Sequence, residues 1–300
     1  MDLTDLAIVR ELTHPQTFQW DVRISYAEVG RRLDLDEETV RARVKKLQES
    51  GVIAGWSVFL NPRVLGRAMV RVGLALADEA AKDRVLPALR AMDGVQLIFD
   101  HYGPSLGVVF MQEPGRALER QLEVLAALTG STPHVSPVTF PPATTELSKQ
   151  DWRIVRALRA DARRSYAELA GELGLSERTL RRSIDRLTQG KAVYLMPRID
   201  MTRVDGLVPA SFLVVHRDPA QRGPVDAYLK GLPGIMFQWY EGPVSRISLA
   251  RRNVAEIEAV RRALASMPGV ARVEAEITLR SIQVHEWLDE IVARKAEGKA

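Results

Sequence analysis

The sequence predicts an α+β protein made of two tandem copies of one unit, a (winged) helix-turn-helix domain followed by a ferredoxin-like βαββαβ domain. Three observations carry this. Ile24-Ser-Tyr-Ala-Glu-Val-Gly-Arg-Arg-Leu-Asp-Leu-Asp-Glu-Glu-Thr-Val is echoed by Arg164-Ser-Tyr-Ala-Glu-Leu-Ala-Gly-Glu-Leu-Gly-Leu-Ser-Glu-Arg-Thr-Leu. Ser25 pairs with Ser165 and Leu35 with Leu175, so the repeat is roughly 140 residues long, the size of a domain pair and not of a solenoid repeat. Each copy then opens with a cap, short helix, turn and second cap, and closes with helices and apolar runs in the order βαββαβ. Helix-turn-helix domains are thus expected at 1–60 and 144–200. The βαββαβ domains are expected at 61–143 and 201–300, the last with a C-terminal helix.

Taken in order, Leu3 to Leu12 and Leu147 to Leu158 read as helices opened by Thr4 or Ser148. Ser25-Tyr-Ala-Glu28 and Ser165-Tyr-Ala-Glu168 are capping boxes, in which serine takes the amide at the third helical position and glutamate reaches back to the serine amide. The turns Asp34-Leu-Asp36 and Gly174-Leu-Ser176 lead to new caps at Asp36 and Ser176. In the first copy a strand over Val70 to Ala77, a helix over Ala80 to Met92, two strands about Gly103-Pro104, a helix over Gly115 to Leu128 and a strand over His134 to Phe140 follow. The second copy repeats this as Pro209 to Val215, Pro224 to Leu232, Ile235 to Tyr240, Ser245 to Ala250, Val254 to Met267 and Val270 to Leu279, then a helix near Val284 to Lys295. Pro141-Pro142 bars a helix and marks the join near Pro137 to Thr145.

Composition narrows the classes. With 46% hydrophobic and 27% charged residues the 300-residue chain is that of an ordered protein with real cores. It has no cysteine, which excludes a disulfide framework, a thiol nucleophile and a cysteine zinc site, and fits a cytoplasmic location. No apolar run is long enough to span a bilayer, and acidic Asp2 and Asp5 stand where an export signal would be basic. The histidines at 14, 101, 134, 216 and 285 lack metal-ligand spacing, so no metal is expected. Nucleotide-binding glycine loops and a Gly-x-Ser-x-Gly elbow are absent, so no cofactor and no enzyme activity is expected. A net charge of +4 is compatible with a polyanionic partner, and its placement is what points to one.

On the helix after each turn, Val40, Val44 and Leu47, and Leu180, Ile184 and Leu187, form a buried stripe. The opposite face presents Glu38, Arg41, Ala42, Lys45 and Lys46 in the first copy and Arg178, Arg181, Arg182, Asp185 and Arg186 in the second, the more basic of the two. A helix fits the major groove of double-stranded DNA, and arginine can bond guanine edges in pairs. By position, Thr39, Arg41, Ala42, Arg178, Thr179, Arg181 and Arg182 are candidates for base edges, and Lys45, Lys46 and Arg186 for phosphates.

With these residues in view, each half resembles a full subunit of the Lrp/AsnC family of feast-or-famine transcriptional regulators. The resemblance rests on Ile24-Ser-Tyr-Ala-Glu-Val, on Leu35 through Ile53, and on the hinge Leu60-Asn-Pro-Arg-Val-Leu-Gly66. The second copy keeps Leu187 and Gly190, but its hinge, Ile199 to Gly206, lacks the proline. The resemblance implies an Lrp-type (RAM) βαββαβ sensor domain, binding of palindromic DNA, small-molecule effectors, and pairing as a homodimer or, here, an intrachain pseudo-dimer. The effector turn would comprise Tyr102, Gly103, Tyr240 and Gly242, although both turns lack the aspartate of amino-acid-sensing members. The link from His14 to Arg23 is longer than the family loop and inserts Phe18 and Trp20, read as packing residues.

The same architecture is similar to that of the sirohaem decarboxylases, some of them fused pairs, and that resemblance leaves an enzymatic alternative. His101 and Tyr102, or Arg246 and Arg251, would then meet a tetrapyrrole carboxylate or move a proton. The segment expected between the central strands of those enzymes is missing, and the basic helices are retained. A third reading has DNA touched by the second helix-turn-helix alone.

Overall fold

The computed structural model describes residues 1–13, 22–113, 116–138, 140–200, 203–232 and 235–298; Phe18 and Trp20 lie outside them. Like packs with like. One compact unit gathers residues 11–67, 140–199 and 285–300, and the other gathers 1–10, 68–139 and 200–284.

In the first unit each copy contributes its helix-turn-helix: α2 (Tyr26–Leu33) with α3 (Glu37–Glu49), and α7 (Tyr166–Leu173) with α8 (Glu177–Gln189). Both predicted stripes are buried. The Ser165–Glu168 box is complete, with the glutamate amide donating to the serine Oγ (3.2 Å) and the serine amide to the carboxylate (3.0 Å). Its counterpart is half formed. Ser25 accepts from the Glu28 amide (3.2 Å), but the Glu28 carboxylate turns to Arg31 and Arg32 (2.7–2.9 Å). Those arginines, absent from the second copy, compete for it and hold its pKa near 2, well below the usual carboxylate value. Asp36 and Ser176 cap α3 and α8 and Ser148 caps α6 (Lys149–Ala160), all as predicted, whereas α1 (Leu3–Thr13), most of which belongs to the other unit, is capped by Asp2 rather than Thr4. Asp2 and Asp5 exchange backbone-to-carboxylate bonds (2.8 and 2.9 Å), which leaves Thr4 inside the helix.

The turn residue between the paired helices is left-handed in both copies, Asp34 at φ 56° and Gly174 at φ 68°. No atom lies within 4 Å of where a Cβ on Gly174 would stand. Gly174→Ala should therefore cost about 1 kcal/mol by backbone strain alone, read as a lower denaturation midpoint with an unchanged slope.

The two copies are joined by their hinge strands. β1 (Ile53–Leu60) pairs antiparallel with β6 (Val193–Ile199), with Val58 opposite Leu195 and Phe59 opposite Tyr194. Phe59 stacks on Phe140 at 5.6 Å between ring centres. Asn61, fully buried, donates to the carbonyls of Lys191 (2.8 Å) and Pro141 (2.9 Å) and so stitches the hinge to the inter-copy link. Asn61→Leu leaves both carbonyls without that donor; a loss of about 2–4 kcal/mol in chemical denaturation is expected. The C-terminal helix, assigned by sequence to the second sensor domain, is α11 (Glu286–Glu297) and packs in this unit against α6. Its apolar stripe Leu288, Val292 and Ala296 specifies a buried face but not the partner, and the Arg159–Asp289 ion pair adds to that contact.

The second unit is one eight-stranded sheet. The first copy supplies β2 (Ala68–Ala75), β3 (Val95–His101), β4 (Ser105–Gln112) and β5 (His134–Val138), with helices α4 (Ala81–Ala91) and α5 (Arg116–Thr129). The second supplies β7 (Val208–His216), β8 (Ile235–Glu241), β9 (Val244–Arg251) and β10 (Val270–Gln283), with α9 (Gly223–Gly231) and α10 (Val254–Ala265). The order β5-β2-β4-β3-β10-β7-β9-β8 is twice the ferredoxin-like arrangement, as the element order predicted. β10 fuses the halves: its first part pairs with β7 and its last residues with β3, Thr278 opposite His101. The outer strands β5 and β8 also meet, so the sheet curls back on itself.

Candidate nucleic-acid interface and sensor interior

The side chains proposed for DNA are brought together on α3 and α8. Arg41, Ala42, Lys45, Lys46, Arg178, Thr179, Arg181, Arg182 and Arg186 are exposed, and Thr39 is half-buried. Thr39 and Thr179 turn their hydroxyls to the caps of their own helices, Asp36 (2.6 Å) and Ser176 (2.8 Å). The two faces differ in free charge. On α3, Arg41 pairs with Glu37 and Lys45 lies 3.7 Å from Glu49, each one turn away. Among the described residues no carboxylate pairs with Arg178, Arg181 or Arg182 on α8. Arg186, a candidate for a phosphate, pairs with the 3% exposed Asp151 and fastens α8 to α6.

Sequence reasoning missed the contacts that tie these helices to the opposite copy. The Arg23 guanidinium lies over the Tyr166 ring (4.2 Å to its centre), and Arg163 lies over Tyr26 (4.5 Å). The same tyrosines carry the recognition-helix arginines, Arg181 over Tyr166 at 4.1 Å and Arg41 over Tyr26 at 5.4 Å. Arg23/Arg163, Tyr26/Tyr166 and Arg41/Arg181 are all equivalent positions of the repeat. That equivalence was the available signal, but it carries no mark of which side chains meet between the copies.

In the sensor unit the expected effector turns are open. Tyr102 is 73% exposed, and Gly103 (φ 78°) and Gly242 (φ 52°) have no atom within 4 Å of where a Cβ would stand. The Tyr240 side chain lies outside the described residues. Buried polar groups gather elsewhere, on the sheet face away from the helices. Fully buried His101 has its Nδ1 3.3 Å from the Thr278 hydroxyl, and its Nε2 3.4 Å from an Arg71 nitrogen and 3.5 Å from Glu276. Across the curl, Arg246 of β9 donates to Ser136 of β5 (3.0 Å), the cross-strand neighbour of Arg71. Gly107 leaves the space: a Cβ there would stand 2.9 Å from Arg71 and 3.2 Å from His101. Burial, opposed by Glu276, lowers the His101 pKa to about 4, and burial beside Arg246 lowers that of Arg71 to about 9. Arg251 faces the other way, toward Glu256 and Tyr228. Of the four residues named for an enzymatic alternative, His101 and Arg246 enter this cluster, whereas Tyr102 and Arg251 do not.

Two capped helix-turn-helix pairs on joined hinge strands, each continuing into half of a shared βαββαβ sheet, define a fused two-copy helix-turn-helix protein. An AsnC-type helix-turn-helix domain model matches residues 1–48 and 147–188. An uncharacterised HTH-type transcriptional regulator of Pyrococcus abyssi is 35% identical over 137 residues, 43% of this chain and 80% of that protein. The HTH-type transcriptional regulator Ptr1 of Methanocaldococcus jannaschii is 35% identical over 104 residues, 34% of this chain and 66% of that protein, just under two thirds of its length. The chain belongs to the Lrp/AsnC family of helix-turn-helix transcriptional regulators, in tandemly duplicated form. Its fold is shared end to end with the siroheme decarboxylase NirDL, solved with an iron-uroporphyrin III analogue, at a TM-score of 0.59 and 14% identity, covering 99% of each chain.

Proposed function

We propose that this protein is a sequence-specific transcriptional regulator that binds double-stranded DNA chiefly through α8. The observation that carries the reading is the trio Arg178, Arg181 and Arg182, exposed on the first turns of a capped recognition helix and paired with no described carboxylate. Three guanidiniums at that position have the geometry for phosphate clamping and paired bonds to guanine edges. The first helix, with Arg41 and Lys45 held by its own glutamates, contributes less. The paired hinge strands support an intrachain pseudo-dimer as the working form, able to associate further, and the sensor sheet is the place for a small-molecule effector to act. No helix among the described residues is long and apolar enough to cross a membrane, and a cytoplasmic location accords with the cysteine-free sequence.

The test is binding of the full chain to its own promoter DNA at two salt concentrations with sonicated competitor present. Binding that survives competitor and weakens with salt is expected, because phosphate contacts release counterions while base contacts do not. Binding that competitor removes would defeat the reading.

One observation favours a second reading. His101 lies beside Arg71 in a sheet interior that also holds Arg246, on a fold shared with a siroheme decarboxylase. Under that reading the chain takes up a tetrapyrrole and its helix-turn-helix pair is inherited scaffold. An absorption titration of the protein with a sirohaem-type tetrapyrrole separates the two: the regulator reading expects no stoichiometric uptake.

A further inference from the structure

We propose that the first copy takes part in DNA reading as a brace: Arg23, acting through Tyr166, positions Arg181 of the second copy for base contact. The inference rests on the regulator reading and assigns a role to residues that it leaves idle. A guanidinium lying over an aromatic ring keeps its N–H edges free for acceptors while its plane is fixed. Arg181 is in that state, 4.1 Å over Tyr166 and with no described carboxylate to compete. Tyr166 opens α7, one residue after its Ser165 cap, and its ring meets Arg23 at 4.2 Å from the other copy. Arg23 is itself anchored, donating to the Arg164 carbonyl, so it belongs to the first copy by sequence and to the second by contact.

The mirror-related contact serves as an internal control. Arg163 lies over Tyr26 at 4.5 Å, but there Arg41 is farther from the ring, at 5.4 Å, and is engaged by Glu37. Arg163 also lies over Trp56 at 5.0 Å, so its load is divided. The same parts occur twice, and only one set ends on an arginine free to contact DNA. Arg23 and Tyr166 are therefore positioning residues. Their removal should relax sequence selectivity and leave every phosphate contact in place.

The experiment compares full-length wild type with Arg23→Gln, Tyr166→Leu, Tyr166→Phe and Arg163→Gln, using promoter DNA, a set of single-base variants of its protected site, and a salt series. Arg23→Gln and Tyr166→Leu should cut discrimination at one base position by about 10-fold while the salt slope stays that of wild type. Tyr166→Phe keeps the ring face and should keep selectivity, as should Arg163→Gln. Equal discrimination by wild type and Arg23→Gln overturns the proposal, as does a parallel fall in selectivity and salt slope, the sign of a merely structural loss. If Arg23→Gln unfolds, Arg23→Lys and Tyr166→Leu carry the same comparison. Wild type that fails to discriminate promoter from competitor defeats the regulator reading itself, a distinct result.

Discussion

Replacing Arg181 and Arg182 together by glutamate is expected to lower affinity for promoter DNA at least about 100-fold, since each base or phosphate contact removed is worth roughly 1–3 kcal/mol and repulsion adds to it. The same reversal at Arg41 and Lys45 should change affinity by no more than about fivefold, because a carboxylate of the same helix, Glu37 or Glu49, lies beside each and offsets its charge toward DNA. Both pairs lie on exposed helix faces, so stability should hardly move, and melting curves serve as the control. The salt slope adds a second readout: it should fall by about one for each phosphate that the α8 variant no longer neutralises, and stay unchanged in the α3 variant. Equal losses from the two variants would make the heads equivalent readers and remove the case for α8 as the principal one.

The second large effect is on acid stability. The His101 pKa, lowered by burial to about 4, lies below its ordinary value of 6.5. As pH falls through 6.5 the unfolded chain takes up a proton that the folded chain refuses until about pH 4. Stability is thus full above pH 6.5 and is lost across that window, by about 3 kcal/mol at its lower end. The groups around the ring are Arg71 of β2, Glu276 and Thr278 of β10, Lys82 of α4 and neighbouring Asp100; the two cations oppose protonation and the carboxylates favour it. His216 and His285 are lowered by burial too and act in the same range, so the measurement is a difference between proteins. His101→Gln should show urea stability less steep in pH between 6.5 and 4 by about one proton. Glu28 and Glu258, held near 2 by adjacent arginines, act below pH 4.5 and so overlap only the lower end of this window, equally in both proteins. An unchanged slope in His101→Gln would mean the ring is protonated in the folded protein.

The architecture was legible because its signals are local. Serine caps, buried stripes at helical spacing and Gly-Pro turns act within a few residues, and the repeat presents each of them twice. What escaped depends on side chains meeting over long sequence distances. The Glu28 carboxylate had three claimants, and spacing alone could not say that Arg31 and Arg32 would win over the Ser25 amide. The pairing of Arg186 with Asp151 depends on α6 packing against α8, which spacing within α8 does not show. The stripe on α11 was plain, but nothing in it named α6 as the neighbour. His101 and Arg246 were picked out from sequence, whereas Arg71, which lies beside the histidine, was passed over because a lone arginine amid Met69, Val70 and Val72 carries no local sign of a buried cluster.

The β1–β6 ladder has a thermodynamic corollary. In a regulator assembled from separate subunits, the pairing of two heads obeys mass action and fails on dilution. Here both strands belong to one polymer, and their encounter is governed by an effective concentration fixed by the intervening chain. The pairing of the heads is therefore independent of how many copies the cell holds.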